Sequence, residues 1–248
     1  MISDHVLDKA VPIPLYYQLK NIIQTEIESG AYAPDDAIPT EEELITQFGV
    51  SRTTVRQAIS ELVQEGKLYR IKSKGTFVTR KKINQDFFVR LESFNDQISK
   101  QNKTPKTEVI SMTTVTPLPQ VKEALGLADD EPAIFLHRKR FADNSPIVEV
   151  RTYLPYNHCS YIMDHDFTSE SLYKVLEAHD PSDKIHHVRR VIESIKASAQ
   201  NAKCLEIKPG DPVLFFTSTG FTEENIPLEY TLAFYRGDCN KFELTVMA

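Results

Sequence analysis

Cysteine is scarce in this chain of 248 residues: Cys159, Cys204 and Cys239 stand far apart and odd in number. With no CxxC pair among them, neither a disulfide framework nor a zinc site of ordinary spacing is expected. Long apolar runs are missing too. No stretch nears the ~20 residues of a membrane-spanning helix, and the start MISDHVLDKA lacks the basic-then-apolar order of a signal peptide. The expected compartment is therefore the cytoplasm, with no membrane partner. No serine sits in a GxSxG setting and no glycine-rich phosphate loop occurs, so the enzyme classes built on those devices are excluded. Neither a catalytic residue nor a cofactor is expected. His186-His187, Asp164-His165-Asp166 and His179-Asp180 could suggest a metal. Adjacent strand residues point to opposite faces, however, and no histidine pair has i, i+4 spacing, so no metal is expected either. Internal repeats and low-complexity tracts are absent.

What is present is a globular composition, 41% apolar and 26% charged, with length for one large or two ordinary domains. Charge is unevenly placed. Between Arg52 and Lys82 there are nine Lys/Arg against two Glu, +7, whereas the chain as a whole carries −6. A basic island in an acidic chain calls for an anionic partner.

That island belongs to Phe48–Val78. Ser51 follows the turn Phe48-Gly49-Val50 and is placed to cap a helix. Val55, Ala58, Ile59, Leu62 and Val63 then recur as one apolar stripe, and Gly66 supplies the stop. Opposite the stripe lie Arg52, Thr53, Arg56, Gln57 and Ser60, side chains of the kinds that read base edges and phosphates. Leu68–Ile71 and Thr76–Val78 read as short strands joined by the basic tip Lys72-Ser73-Lys74-Gly75. A capped helix with a guanidinium-rich face, followed by a basic hairpin, is a winged helix-turn-helix reader of double-stranded DNA. Upstream, Pro14 opens a helix that ends at Gly30. Thr40-Glu41-Glu42-Glu43 forms a capping box that starts a second helix reaching Phe48.

The segments PLYYQL (14–19), IPTEEEL (38–44), FGVSRTTVRQAI (48–59) and the GTFV end resemble the N-terminal domain of GntR-type bacterial transcription regulators. The resemblance implies DNA contacts from Thr40, Ser51, Arg52, Thr53, Thr54, Arg56 and Gln57, with the wing tip Lys72, Ser73, Lys74 and Gly75 alongside. One departure stands out: Glu42 occupies a position where many members carry Arg, so operator preference does not transfer from Arg-bearing relatives.

Residues 80–86 show no apolar periodicity and read as a linker. The expected organisation is a DNA-binding domain over 1–79, a linker over 80–87 and a second domain over 88–248. There, alternating stretches predict strands at 106–116, 133–142, 146–154, 185–196, 213–222 and 227–235, with helical pieces at 93–100, 118–125, 171–178 and 197–205. The expected class is α+β on a mainly antiparallel sheet. Alternation places Arg138 and Arg140 on one face of their strand and groups Glu149 with Arg151 and Tyr153 on the next. It likewise groups Glu229, Thr231, Ala233 and Tyr235. Taken alone, this is as well an ordinary half-solvated sheet as a pocket.

LESF (91–94), HRKRFADNSPIVEVRTYLP (137–155), SLYKVLE (171–177), LEIKPGDPVL (205–214) and PLEYTLAFYRGD (227–238) resemble, in order, the UTRA ligand-sensing domain of the HutC subfamily. The resemblance implies a chorismate-lyase-like fold and an effector site lined by Arg138, Arg140, Glu149, Ser171, Tyr173, Glu229 and Tyr235. It also implies that the segment Glu92-Ser93-Phe94 binds the anionic end of the effector. Ser93 stands at an expected helix start, where free N–H groups favour an anion. The expected protein is a homodimeric regulator of a metabolic operon, a repressor on a two-fold operator of roughly 20 base pairs. Its expected effector is a phosphorylated sugar or amino sugar. The alternatives are a carboxylate-responsive regulator and, less favoured, an enzyme of the chorismate-lyase fold. An effector-independent DNA binder would not need the second domain.

Overall fold

The computed structural model describes Ile2 and residues 5–79, 82–85 and 93–244. The chain forms two compact units, Met1–Lys81 and Lys82–Ala248.

The first unit holds α1 (Leu15–Glu28), α2 (Glu41–Phe48) and α3 (Arg52–Gln64). Thr40 begins α2 with a reciprocal cap. Its hydroxyl oxygen accepts from the Glu43 N–H at 3.2 Å, and the Glu43 carboxylate accepts from the Thr40 N–H at 2.7 Å. Gly49, at φ 60°, turns the chain in the left-handed region that only glycine enters at no steric cost. Ser51 then caps α3 by accepting from the Thr54 N–H. Val55, Ala58, Ile59 and Leu62 of α3 are buried against Leu19 and Ile23 of α1 and Leu44 of α2. Burial of each large aliphatic side chain stabilises the unit by about 1.5–3 kcal/mol. β1 (Leu68–Ile71) and β2 (Gly75–Val78) pair antiparallel, with Tyr69 stacked on its cross-strand partner Phe77. The chain before α2 braces this hairpin, since the Ile38 N–H donates to the Thr76 carbonyl and the Val78 N–H to that of Asp36.

The second unit is built on a six-stranded antiparallel sheet. Its strands are β4 (Pro105–Val115), β5 (Ala133–Ala142), β6 (Ser145–Pro155), β7 (His187–Lys196), β8 (Pro212–Phe221) and β9 (Pro227–Arg236). They lie in the order β4-β5-β6-β9-β8-β7. All six expected strands thus fall into one sheet, and the α+β class is the one observed. One face is covered by α4 (Phe94–Ser99), α6 (Tyr156–Cys159) and α7 (Leu172–His179). The other carries α5 (Pro119–Leu125) and α8 (Ala199–Leu205). Because both faces are covered, β6 and β9 are buried along nearly their whole length.

Part of the expected linker belongs to this unit. Ile83–Asn84 forms a short strand, β3, parallel to β10 (Asn240–Lys241), with Ile83 buried. Two paired residues are too few to produce a periodicity, which is why the stretch reads as structureless in sequence.

Candidate functional site

On the first unit, Ser51, Arg52, Thr53, Arg56 and Gln57 are exposed along one face of α3. Thr54 is half-buried, its hydroxyl 2.9 Å from that of Ser51. Both carboxylates of this helical segment, Glu61 and Glu65, are held by Lys20 from α1 at 3.1 and 2.5 Å. Lys20 thereby offsets their charge, while Glu61 also accepts from Gln57 at 3.5 Å. The hairpin tip Lys72-Ser73-Lys74-Gly75 is exposed as well, with Ser73 at φ 63° and Gly75 at φ 132°. Arg70, on β1, lies 3.5 Å from both Glu41 and Ser60, linking the hairpin to α2 and α3. Thr40 is exposed, its hydroxyl engaged with Glu43.

On the second unit, a cavity of about 120 Å³ opens where α4 and α7 cover the sheet. Eight of the ten residues expected for the effector line it: Ser93, Phe94, Arg138, Arg140, Ser171, Tyr173, Glu229 and Tyr235. Glu92 lies outside the described residues. The sheet register explains the convergence. Arg138 faces Val150 across β5–β6, Val150 faces Ala233 across β6–β9, and Ala233 faces Phe216 across β9–β8, so these four share one face.

The cavity is cationic. Arg138 is only 3% exposed, and burial together with the adjacent Arg140 pushes its guanidinium down to about 9, still protonated at neutral pH. Burial lowers Arg140 as well, and its guanidinium lies 4.9 Å from the centre of the Phe94 ring. Nε of both arginines is buried with no hydrogen-bond partner. Burial lifts the Tyr235 hydroxyl to about 12. Burial and then the neighbouring Glu229 carboxylate hold Tyr173 well above its ordinary range, so both phenols are neutral donors. Ser93 caps α4 by accepting from the Asp96 N–H and donating to the Asp96 carboxylate.

Glu149 is not part of this cavity, contrary to expectation. It pairs with Lys139, not with Arg138 or Arg140, and so points through the opposite face of the sheet. There its Oε1 meets His137 at 2.9 Å and Arg151 at 2.6 Å, while Oε2 accepts from Asn201 at 3.0 Å. Burial raises this carboxyl, but the bonds from His137, Asn201 and Arg151 outweigh it and hold the group at about 2. His137, Glu149 and Cys204 do bring ligand atoms within 4.8 Å of one another. The carboxylate, however, is already neutralised by Arg151. Alternation groups residues within a strand; it cannot say which group on the next strand shares that face.

Sequence reasoning also missed Arg190 and Val150, which line the cavity together with Ser218 and Thr231. Thr231 was legible, sharing its face with Glu229 and Tyr235. Arg190 was not, because the tandem Arg189-Arg190 puts one guanidinium on each face and alternation does not choose between them.

A basic helix and wing on one unit, and a cationic cavity between a sheet and its covering helices on the other, define a DNA-binding regulator with a separate ligand-sensing domain. Residues 15–78 match the family described as bacterial regulatory proteins, gntR family, and residues 100–240 match the UTRA domain. The chain is similar to the HTH-type transcriptional repressor NagR of Bacillus subtilis (strain 168), 32% identical with 94% of each chain covered. It is also similar to the mannosyl-D-glycerate transport/metabolism system repressor MngR of Escherichia coli (strain K12), 28% identical over 93% of this chain and 95% of that one. In fold it matches PhnF from Mycobacterium smegmatis with a TM-score of 0.68, at 23% identity, over 91% of this chain and 98% of the other. The chain belongs to the GntR family, with a UTRA domain of the HutC type, and is a DNA-binding transcription regulator rather than an enzyme. Among the described residues, no helix is long and apolar enough to cross a membrane.

Proposed function

We propose that this chain is a repressor that grips its operator as a homodimer and releases it when a phosphorylated sugar or amino sugar fills the cavity of the UTRA domain. The carrying observation is the pair Arg138 and Arg140, each with a buried, unpartnered Nε. An unsatisfied buried donor costs about 1–3 kcal/mol, which an anionic acceptor recovers. With Arg190, the lining holds three guanidiniums against one carboxylate, Glu229, an imbalance suited to a phosphate monoester carrying about −1.5 to −2 rather than to a single carboxylate. Ser171 and Ser218 offer the hydroxyl-rich remainder of a sugar its hydrogen bonds. The cavity lies below the roughly 300–1,000 Å³ of drug-sized sites, in keeping with a small metabolite. Among its relatives, MngR is a repressor of a mannosyl-D-glycerate transport/metabolism system and another is a probable repressor of a fructoselysine utilization operon, which supports a sugar-derived effector, whereas a third is a histidine utilization repressor.

A thermal-shift screen of sugar phosphates against simple carboxylates tests the reading, since a ligand of the native state must raise the melting temperature. Phosphate esters are expected to raise it and to release operator DNA. A shift by carboxylates alone would replace the phosphate reading with the carboxylate one.

A further inference from the structure

We infer that Thr152 and Thr231 are positioning residues that fix the distance between two poles of the cavity, so that the ligand must carry an anion at one end and a hydrogen-bond donor at the other. This rests on the reading of the cavity as a phosphate-ester site.

The Arg138 guanidinium donates to Thr152 Oγ1 at 3.2 Å, Thr152 Oγ1 lies 3.0 Å from Thr231 Oγ1, and Thr231 donates to Glu229 Oε1. All four side chains are at most 8% exposed. An arginine can only donate and an ionised carboxylate only accept, so the hydroxyl protons run in one direction, from Thr152 to Thr231 to Glu229. The register builds this chain: Thr152 and Thr231 are directly opposed across β6–β9, and Arg138 stands one pair along on β5. A cross-strand threonine pair is ordinary sheet chemistry. This one differs at its ends: Arg138 Nε is buried without a partner, and Glu229 Oε2 is buried with no hydrogen bond within 3.5 Å, although the Tyr173 hydroxyl stands beside that carboxylate, and both residues line the cavity. On β8 the residue opposite Glu229 is Gly220, which has no side chain to offer Oε2; a Cβ added there would stand 3.4 Å from it. The network thus ends in one donor and one acceptor held at a spacing set by two hydroxyls. A phosphate oxygen completes the first, and a sugar hydroxyl or an ammonium completes the second.

Calorimetry on the full chain with inorganic phosphate, methyl phosphate, glucose 6-phosphate and glucosamine 6-phosphate tests this. The wild type is expected to bind at least one sugar phosphate about tenfold or more tighter than methyl phosphate. Thr231→Val and Thr152→Val, which keep the shape and remove the hydroxyl, should erase that preference and leave the affinity for inorganic phosphate within about twofold. Thr231→Ser should restore it. Equal weakening towards every probe, or an unchanged preference in a folded Thr→Val variant, would overturn the inference and leave the phosphate reading standing. Should Thr231→Val not fold, Thr152→Val and Thr231→Ser carry the same comparison. Absence of binding by every phosphate in the wild type would overturn both.

Discussion

At the scale of single residues, two carboxylates that alternate in one protein have opposite fates. Glu229 keeps an oxygen with no hydrogen bond within 3.5 Å and lines the cavity, whereas Glu149 is fully bonded on the other face of the sheet. Glu149 is therefore a stability residue. Its pKa, about 2 against an ordinary 4.5, is depressed, so its contribution is complete above about 4.5 and is lost as pH falls through about 2. The shift corresponds to roughly 3 kcal/mol. Urea denaturation should find Glu149→Gln destabilised by about that amount at pH 7, with the gap to wild type closing between pH 4.5 and 2. A constant gap across that range would show that the carboxylate's charge is not what matters. Arg138→Ala and Arg140→Ala should instead spare operator binding and abolish the thermal shift by phosphate esters.

At the scale of elements, α3 and the hairpin that follows it are expected to present different chemistry to DNA. The exposed guanidiniums of Arg52 and Arg56 suit guanine edges, while the lysines of the exposed tip are suited to act as point charges towards phosphate. Arg52→Ala or Arg56→Ala should cost about 1–3 kcal/mol on a specific site and relax base preference there. Lys72→Ala or Lys74→Ala should weaken specific and random DNA alike and reduce the salt slope by about one unit. Titrations at several salt concentrations separate the two patterns, and equal effects from all four would contradict the assignment. Lys20 predicts a control: with Glu61 and Glu65 released in Lys20→Ala, affinity should fall although Lys20 lies on α1, outside the exposed reading face.

At the scale of the whole molecule, a single short recognition helix reads few bases, and specificity comes from two half-sites set about one helical turn or a multiple apart. A homodimer is therefore the expected working form, with a sedimentation mass near twice 28.3 kDa. β7 closes one edge of the sheet, with Val191 55% and Ile192 43% exposed, and exposed apolar side chains on an edge strand are a surface proteins normally cover. Val191→Glu should shift the equilibrium towards monomer and lower operator affinity without altering binding of a phosphate ester by the cavity. A monomeric wild type that holds one half-site tightly would sink this expectation.

Local chemistry determined a good deal by itself. The capping box at Thr40, the Ser51 cap, the glycine stops and the 3.6-residue stripe of α3 are interactions within a few residues, and they appear where the sequence places them. The six strands were legible for the same reason, because alternation is a property of one strand. Which strand faces line up was not, since register is fixed between segments as distant as Thr152 and Thr231. Only the folded sheet decided that Val150, and not Glu149, stands opposite Arg138. The same pairing turned Arg190 inward and joined two threonines, unremarkable in sequence, into the bridge between a buried arginine and a buried glutamate. A shift of one residue reverses every side chain of a strand, so what the cavity recognises is set by tertiary pairing.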